Sequence, residues 1–313
     1  MNKTFLSLTF GLVLVGASTT VAGNAHAAGR DAPGFRMPAT SFVELKRDVA
    51  KARSIAPQSF VAVREVVARA ADANARARGR KAPIAHYLAK LGPSALMPML
   101  EMLALDAPKG VPAEAAPSVR RDLIEAVGLL KDAHALPVLS AILADKTEDP
   151  ETTRTVTEAM ARIGHDEAAS HILSALQSSN AERARAIIAG MGECRKLHVA
   201  EALASRLRGA NDDATARAAA RSLGRIGNAW AWKTVADRTD EATIRELAAR
   251  ALIDAFVQHT GEERAAASNA LMVVDAPETP GLIAAAKSGK SPEIVAALDG
   301  LAARFAANPT RTR

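Results

Sequence analysis

The chain is poor in several residue types, and each scarcity excludes something. It has one cysteine, Cys194, in 313 residues. No internal disulfide can form, so packing alone must hold the fold even in an oxidising compartment. Aromatic residues make up 3% of the sequence. Phe42, Phe60 and Tyr87 are too far apart to build the stacking platform that holds single strands, so nucleic acid is not an expected partner. Beyond the N-terminal leader, no stretch approaches the roughly 20 uncharged apolar residues that span a bilayer. There is no H-E-x-x-H zinc motif, no phosphate-gripping glycine loop and no serine, histidine and acid order. No catalytic residues, no cofactor and no enzymatic activity are therefore expected.

What is present begins with an address. Lys3 supplies a positive start, Phe5 to Val15 a short apolar run, and Ala25-His26-Ala27 a small-x-small cleavage site, the pattern of a signal peptide over residues 1–27. The mature chain is expected in the periplasm or outside the cell. A lipid anchor of the lipoprotein type needs a cysteine at the cleavage point, and Cys194 is far from it. Between Ala28 and Lys81 there are twelve Lys and Arg against five Asp and Glu. This basic excess ends in Arg76, Arg78, Arg80 and Lys81, which would favourably terminate a helix running from about Pro57. The same four residues are candidates for docking on an anionic lipid or polymer surface.

The main body is periodic. Leu88-Ala-Lys-Leu-Gly92, Val127-Gly-Leu-Leu-Lys131, Met160-Ala-Arg-Ile-Gly164, Ile188-Ala-Gly-Met-Gly192 and Leu223-Gly-Arg-Ile-Gly227 end alike, at steps of 39, 33, 28 and 35 residues. Such steps belong to helical-hairpin arrays. Ile84, Leu88 and Leu91 stand eight, four and one residues before the punctuation, as do Leu123, Val127 and Leu130, then Val156, Met160 and Ile163. Intervals of four and three lie on one helical face. The punctuating glycine suits a left-handed helix end, and a second helix opens after it, with Pro98 and Pro137 in its first turn. Ser41 and Glu44 are spaced as a capping box opening an N-terminal helix. Pro108, Gly110, Pro112 and Pro117 interrupt helix between residues 106 and 118 and account for the longest step. The expected organisation is a signal peptide at 1–27, a flexible lead at 28–40, a basic helical cap at 41–81, repeats at 82–260 with a loop insertion at 106–118, and a C-terminal helical cap and tail at 261–313.

The string Ala218-Ala-Ala-Arg-Ser-Leu223-Gly224-Arg225-Ile226-Gly227 resembles the first helix of bacterial HEAT repeats of the PBS-lyase type. Val119-Arg120-Arg121 and Ile244-Arg245-Glu246 resemble its Val-Arg opening. The resemblance covers roughly residues 82 to 260. It implies an all-α solenoid of stacked antiparallel hairpins whose second helices line a concave surface, commonly used to bind proteins, and it implies no single chemistry. Deoxyhypusine hydroxylases share this kind of repeat but hold two irons with repeated His-Glu dipeptides, and no His-Glu pair occurs here. Phycobilisome chromophore lyases also share it, but act in the cytoplasm.

Candidate functional residues follow from what the apolar stripe does not use. Glu167 and His171 are four apart, as are Cys194 and His198, so each pair shares a helix face and a shared metal is conceivable, although polar residues are ordinary in a first turn. His134, His171, His198, Trp230 and Trp232 are candidates for contact with a partner, with one tryptophan expected to wedge into the seam between repeats. Arg121, Arg154, Arg183 and Arg217 recur at one place in the first helix. They read as a structural ladder paired with the turn acids Asp132, Asp166 and Glu193, or as an anion-binding stripe. The expected function is a non-enzymatic adaptor holding another protein of the cell envelope. A structural protein docked on anionic membrane or polymer through the basic cap is the alternative, and a metal-binding or lyase-like enzyme the remote one.

Overall fold

The computed structural model describes residues 36–76 and 84–309, with side chains to residue 70 in the first range. The leader at 1–27 and the docking candidates Arg78, Arg80 and Lys81 lie outside these residues, as does the side chain of Arg76. The described residues are helical, without strands, and the fold is an all-α HEAT-like solenoid. No described helix is long and apolar enough to cross a membrane.

Two helices open the array, α1 (Ala39–Ile55) and α2 (Pro57–Arg76). Hairpins follow as α3 (Ile84–Lys90) with α4 (Leu96–Ala104), α5 (Ala116–Leu130) with α6 (Leu136–Ala144), α7 (Pro150–Ile163) with α8 (Asp166–Gln177), and α9 (Ala181–Met191) with α10 (Leu197–Arg208). The chain continues through α11 (Asp213–Ile226), the single turn α12 (Ala229–Trp232), α13 (Glu241–Gln258), α14 (Gly261–Val274), α15 (Thr279–Ala286) and α16 (Pro292–Ala306). First helices α3, α5, α7, α9, α11 and α14 pack successively in one row. Second helices α4, α6, α8, α10, α13 and α15 form the other.

Membership of the rows corrects one detail. Ile244-Arg245-Glu246 has the opening of a first helix, yet α13 packs on α10 and α15, in the second row. The reason is α12: one turn cannot fill the second-row place beside α11, so α13 takes it, and the first row continues with α14.

The apolar stripe forms the seam between the rows. Leu88, Leu123, Val127, Val156, Met160, Ile188, Leu223 and Ile226 are all buried, each contributing about 1.5–3 kcal/mol relative to exposure. Leu91, one residue past the end of the short helix α3, is 36% exposed, and Leu130 is only partly buried.

Helix starts are capped as their residue types dictate. Asp149 accepts from the N–H groups of Glu151 and Thr152, Asn180 from that of Arg183, and Asp212 from that of Thr215. Each such cap stabilises its helix by about 1 kcal/mol. The capping box at Ser41 does not form: α1 opens two residues earlier, after Pro38, with no side-chain cap. Proline there presets an extended entry, and Ser41 falls inside the first turn.

The punctuating residues divide into two kinds. Gly92, Lys131 and Gly164 have φ of 83°, 55° and 74°; Lys131 and Gly164 form the left-handed end expected, Lys131 despite its Cβ, while Gly92 combines its positive φ with an extended ψ of −171°. Gly192 and Gly227 have φ of −61° and −87°. Their lack of a side chain serves packing instead: a Cβ on Gly192 would lie 2.8 Å from Arg225 Cβ, and one on Gly227 3.0 Å from a Val274 methyl.

An arginine-lined groove between α11 and α14

The first row is held together by close approach. A Cβ on Gly128 of α5 would sit 2.5 Å from Ala159 Cα of α7, one on Gly190 of α9 2.6 Å from Thr157 Cβ of α7, and one on Gly224 of α11 2.9 Å from Ala270 Cβ of α14. Small residues at these contacts let backbones nearly touch, and no side chain remains to fill the space above the seam. Between α11 and α14 the result is an open groove of about 630 Å³. Its apolar floor is Gly224, Ala265, Ala266, Ala270 and Val273, with Val273 40% exposed.

Arg217, Arg221 and Arg225, four residues apart on α11, form one wall, since that spacing puts all three on one helix face. The outer two are engaged. Arg217 binds Glu263, with Glu262 at 3.5 Å. Arg225 donates to Glu158 at 3.0 Å and to Glu193 at 2.6 Å. Glu158, 8% exposed, is also approached by Arg154 at 3.2 Å and Arg162 at 3.8 Å. Burial pushes the Glu193 carboxyl upward, but the charge and hydrogen bonds of Arg225 outweigh it and hold the group below its usual range. Arg221, between the two, is exposed and has no carboxylate partner among the described residues. A guanidinium with all its donors available over an apolar floor can take a carboxylate, sulfonate or phosphate in bidentate fashion.

The arginine ladder takes a different form from the one expected. Arg121 reaches Asp149 and Glu151 at the start of the next first helix, at 3.9 and 3.3 Å, and Arg217 likewise reaches forward to α14. The turn acids have other partners: Asp132 binds His134 at 2.7 Å, Asp166 binds Lys196 at 2.9 Å, and Glu193 binds Arg225. Position in the first turn, where acids favour the helix dipole, decides the pairing.

The candidate metal residues are not gathered. Glu167 Oε1 is 3.6 Å from His171 Nε2 on the exposed face of α8, and His198 is exposed at the start of α10. Cys194 is fully buried, and burial pushes its thiol up to about 12, the opposite of what a thiolate ligand needs. No group of three His, Cys, Asp or Glu able to hold a metal occurs among the described residues.

Of the partner-contact candidates, Trp232 is corrected. It is 1% exposed, and its Nε1 donates to the Ile226 carbonyl at 2.9 Å, so it is the wedge and offers nothing to a partner. Trp230 is 55% exposed with Lys233 Nζ 4.1 Å above its ring. His134 and His198 are exposed, while His171 edges a small cavity facing α9. The groove itself was not anticipated. Its only sequence signal is the four-residue spacing of Arg217, Arg221 and Arg225 opposite an alanine-rich stretch of α14.

The family described as HEAT repeats matches residues 111–192. No curated protein matches the chain. Among solved structures, human deoxyhypusine hydroxylase in complex with glycerol is similar at 16% identity and a TM-score of 0.33, over 80% of this chain and 99% of that one. A likeness of this degree assigns no activity here. The expectation of a non-enzymatic adaptor is not carried forward, because a helical array of this kind fixes the fold and not the function.

Proposed function

We propose that the chain binds a small organic anion with an apolar body in the groove between α11 and α14. The observation that carries this reading is Arg221, an unpaired guanidinium between two engaged ones over a floor of alanine, glycine and valine. The anionic group pairs with Arg221 while the apolar body covers Ala266, Ala270 and Val273. Arg217 and Arg225 hold the wall in place through ion pairs with Glu263 and with Glu158 and Glu193. Glu262 and Asn269 complete the lining of the groove beside the three arginines. A naphthalene sulfonate dye tests it by fluorescence titration. The Arg221→Gln variant is expected to bind about tenfold more weakly, the equivalent of about 1.4 kcal/mol, with an unchanged melting temperature because Arg221 is exposed and unpaired. Affinity in both Arg221→Gln and Val273→Asp equal to that of the parent protein sinks the proposal.

The leader pattern at residues 1–27 supports export of the protein. A mature N-terminus at Ala28 is expected by mass spectrometry of the protein from its source, and retention of Met1 overturns the idea.

A further inference from the structure

One basic side chain of the array is buried without an acid. Arg183, in the first turn of α9, is 9% exposed. Its guanidinium donates from Nη1 to Thr153 Oγ1 at 3.2 Å and from Nη2 to the Leu143 carbonyl, both neutral acceptors. Those bonds occupy two of its five N–H groups. The acids whose charge reaches it are engaged elsewhere: Asp145 accepts from the N–H and hydroxyl of Thr147 at 2.8 and 2.7 Å, and Glu148 accepts from Arg120 at 2.6 Å. Burial accordingly pulls the guanidinium below its usual range. Asp145 and Glu148 act on it only from beyond ion-pair distance, so no carboxylate accepts from the buried guanidinium.

Beside this group, between α6, α8 and α9, lies a cavity of about 170 Å³. Lys146 and His171 line it with Arg183, and no carboxylate does. Ser140 also lines it, and its Oγ is buried with no hydrogen-bond partner among the described residues. Ser174 adds a hydroxyl at the rim. Two cations, Arg183 and Lys146, line one small space with no carboxylate in the lining, and an anion placed there is attracted by both. At about 30 Å³ per water, the volume equals five or six waters, enough for a phosphate and a short substituent but not for a nucleotide.

We propose that this cavity is a binding site for a tetrahedral oxyanion, either free inorganic phosphate or the phosphoryl group of a small molecule, held by Arg183 and Lys146 with the Ser140 hydroxyl donating to a third oxygen. The site shares no residue with the α11–α14 groove. Arg183 supplies the two-pronged donor that oxyanions favour, and Lys146 a point charge from the mouth. His171, four residues from Glu167 on α8, stands at the rim as a further donor.

Calorimetric titration of the purified protein with inorganic phosphate, and in parallel with phenyl phosphate, tests the proposal. Saturable binding at about 1 mM phosphate or below is expected. Lys146→Gln should weaken it about tenfold, and Ser140→Ala measurably less. Arg221→Gln should leave it unchanged, which separates this site from the groove. Arg183→Met removes the central donor, but its burial puts folding at risk. Lys146→Gln and Ser140→Ala, at the mouth and wall, therefore carry the test on folded protein, checked by circular dichroism. Equal binding of the two probes supports a site for the free ion, and tighter binding of phenyl phosphate supports a phosphoryl group on a small molecule. Absence of binding to both, or binding that neither Lys146→Gln nor Ser140→Ala weakens, overturns the proposal.

Discussion

First and second helices of this array solve the same packing problem differently. In the first row, Gly128, Gly190 and Gly224 bring neighbouring backbones nearly into contact. In the second row the spaces are filled by larger side chains such as Met99, Leu139, Ile172 and Leu203, all fully buried, and Gly281 of α15 has nothing near the place of its missing Cβ. The difference shows where sites can form. A row joined through small residues leaves shallow open space above the seam, which arginines on α11 turn into a groove. Where helices of both rows stand apart, as around Ser140 and Arg183, a small pocket with an open mouth remains.

This contrast can be broken most strongly at Gly128. Valine there must displace the backbone of α7 at Ala159, and an overpacking loss of about 3 kcal/mol is expected in denaturant melts. A loss under about 0.5 kcal/mol would show that the first row is not held by close approach. The matching change in the second row should go the other way. Gly281→Ala is expected to stabilise by about 0.5 kcal/mol, since it adds helix propensity and meets no atom within 4 Å. Destabilisation there would mean the second row is as tight as the first.

A smaller effect probes the polar bridge between α9 and α11. Glu193 has a folded pKa held below its ordinary 4.5. Its contribution to stability is therefore complete above about pH 4.5 and is lost as pH falls through the lower folded value. The melting-temperature difference between the parent and Glu193→Gln should be constant near neutrality and shrink below pH 4.5. A difference that does not change with pH would remove Arg225 as the partner that matters.

Much of the architecture was legible because it rests on local rules. The four-and-three spacing of Leu123, Val127 and Leu130 marks a helix face whatever its neighbours are, and Pro137 marks a helix start. Cap residues such as Asp149 and Asp212 are equally local. The places where reading by period failed are those set by a neighbour. Ile244-Arg245-Glu246 opens like a first helix, but the shortness of α12 moved α13 into the other row. Gly192 and Gly227 look like left-handed turn residues and prove to be contact residues. Trp230 and Trp232 are alike in sequence, and only the position of the seam decides which of them is buried.

The candidate sites were less legible still. Arg121, Arg154, Arg183 and Arg217 occupy one slot of the repeat, so no sequence pattern distinguishes them, yet three reach carboxylates and Arg183 reaches only neutral oxygens. Helix periodicity, capping and turn chemistry act within a few residues and are written directly in the chain, so they were enough to specify helical hairpins and their order. Which arginine finds an acid depends on distances between residues about 30 or more positions apart, such as Arg183 and Thr153 or Arg225 and Glu193. Those distances are set by how closely glycine and alanine let neighbouring helices approach, and that exists only once the rows are stacked.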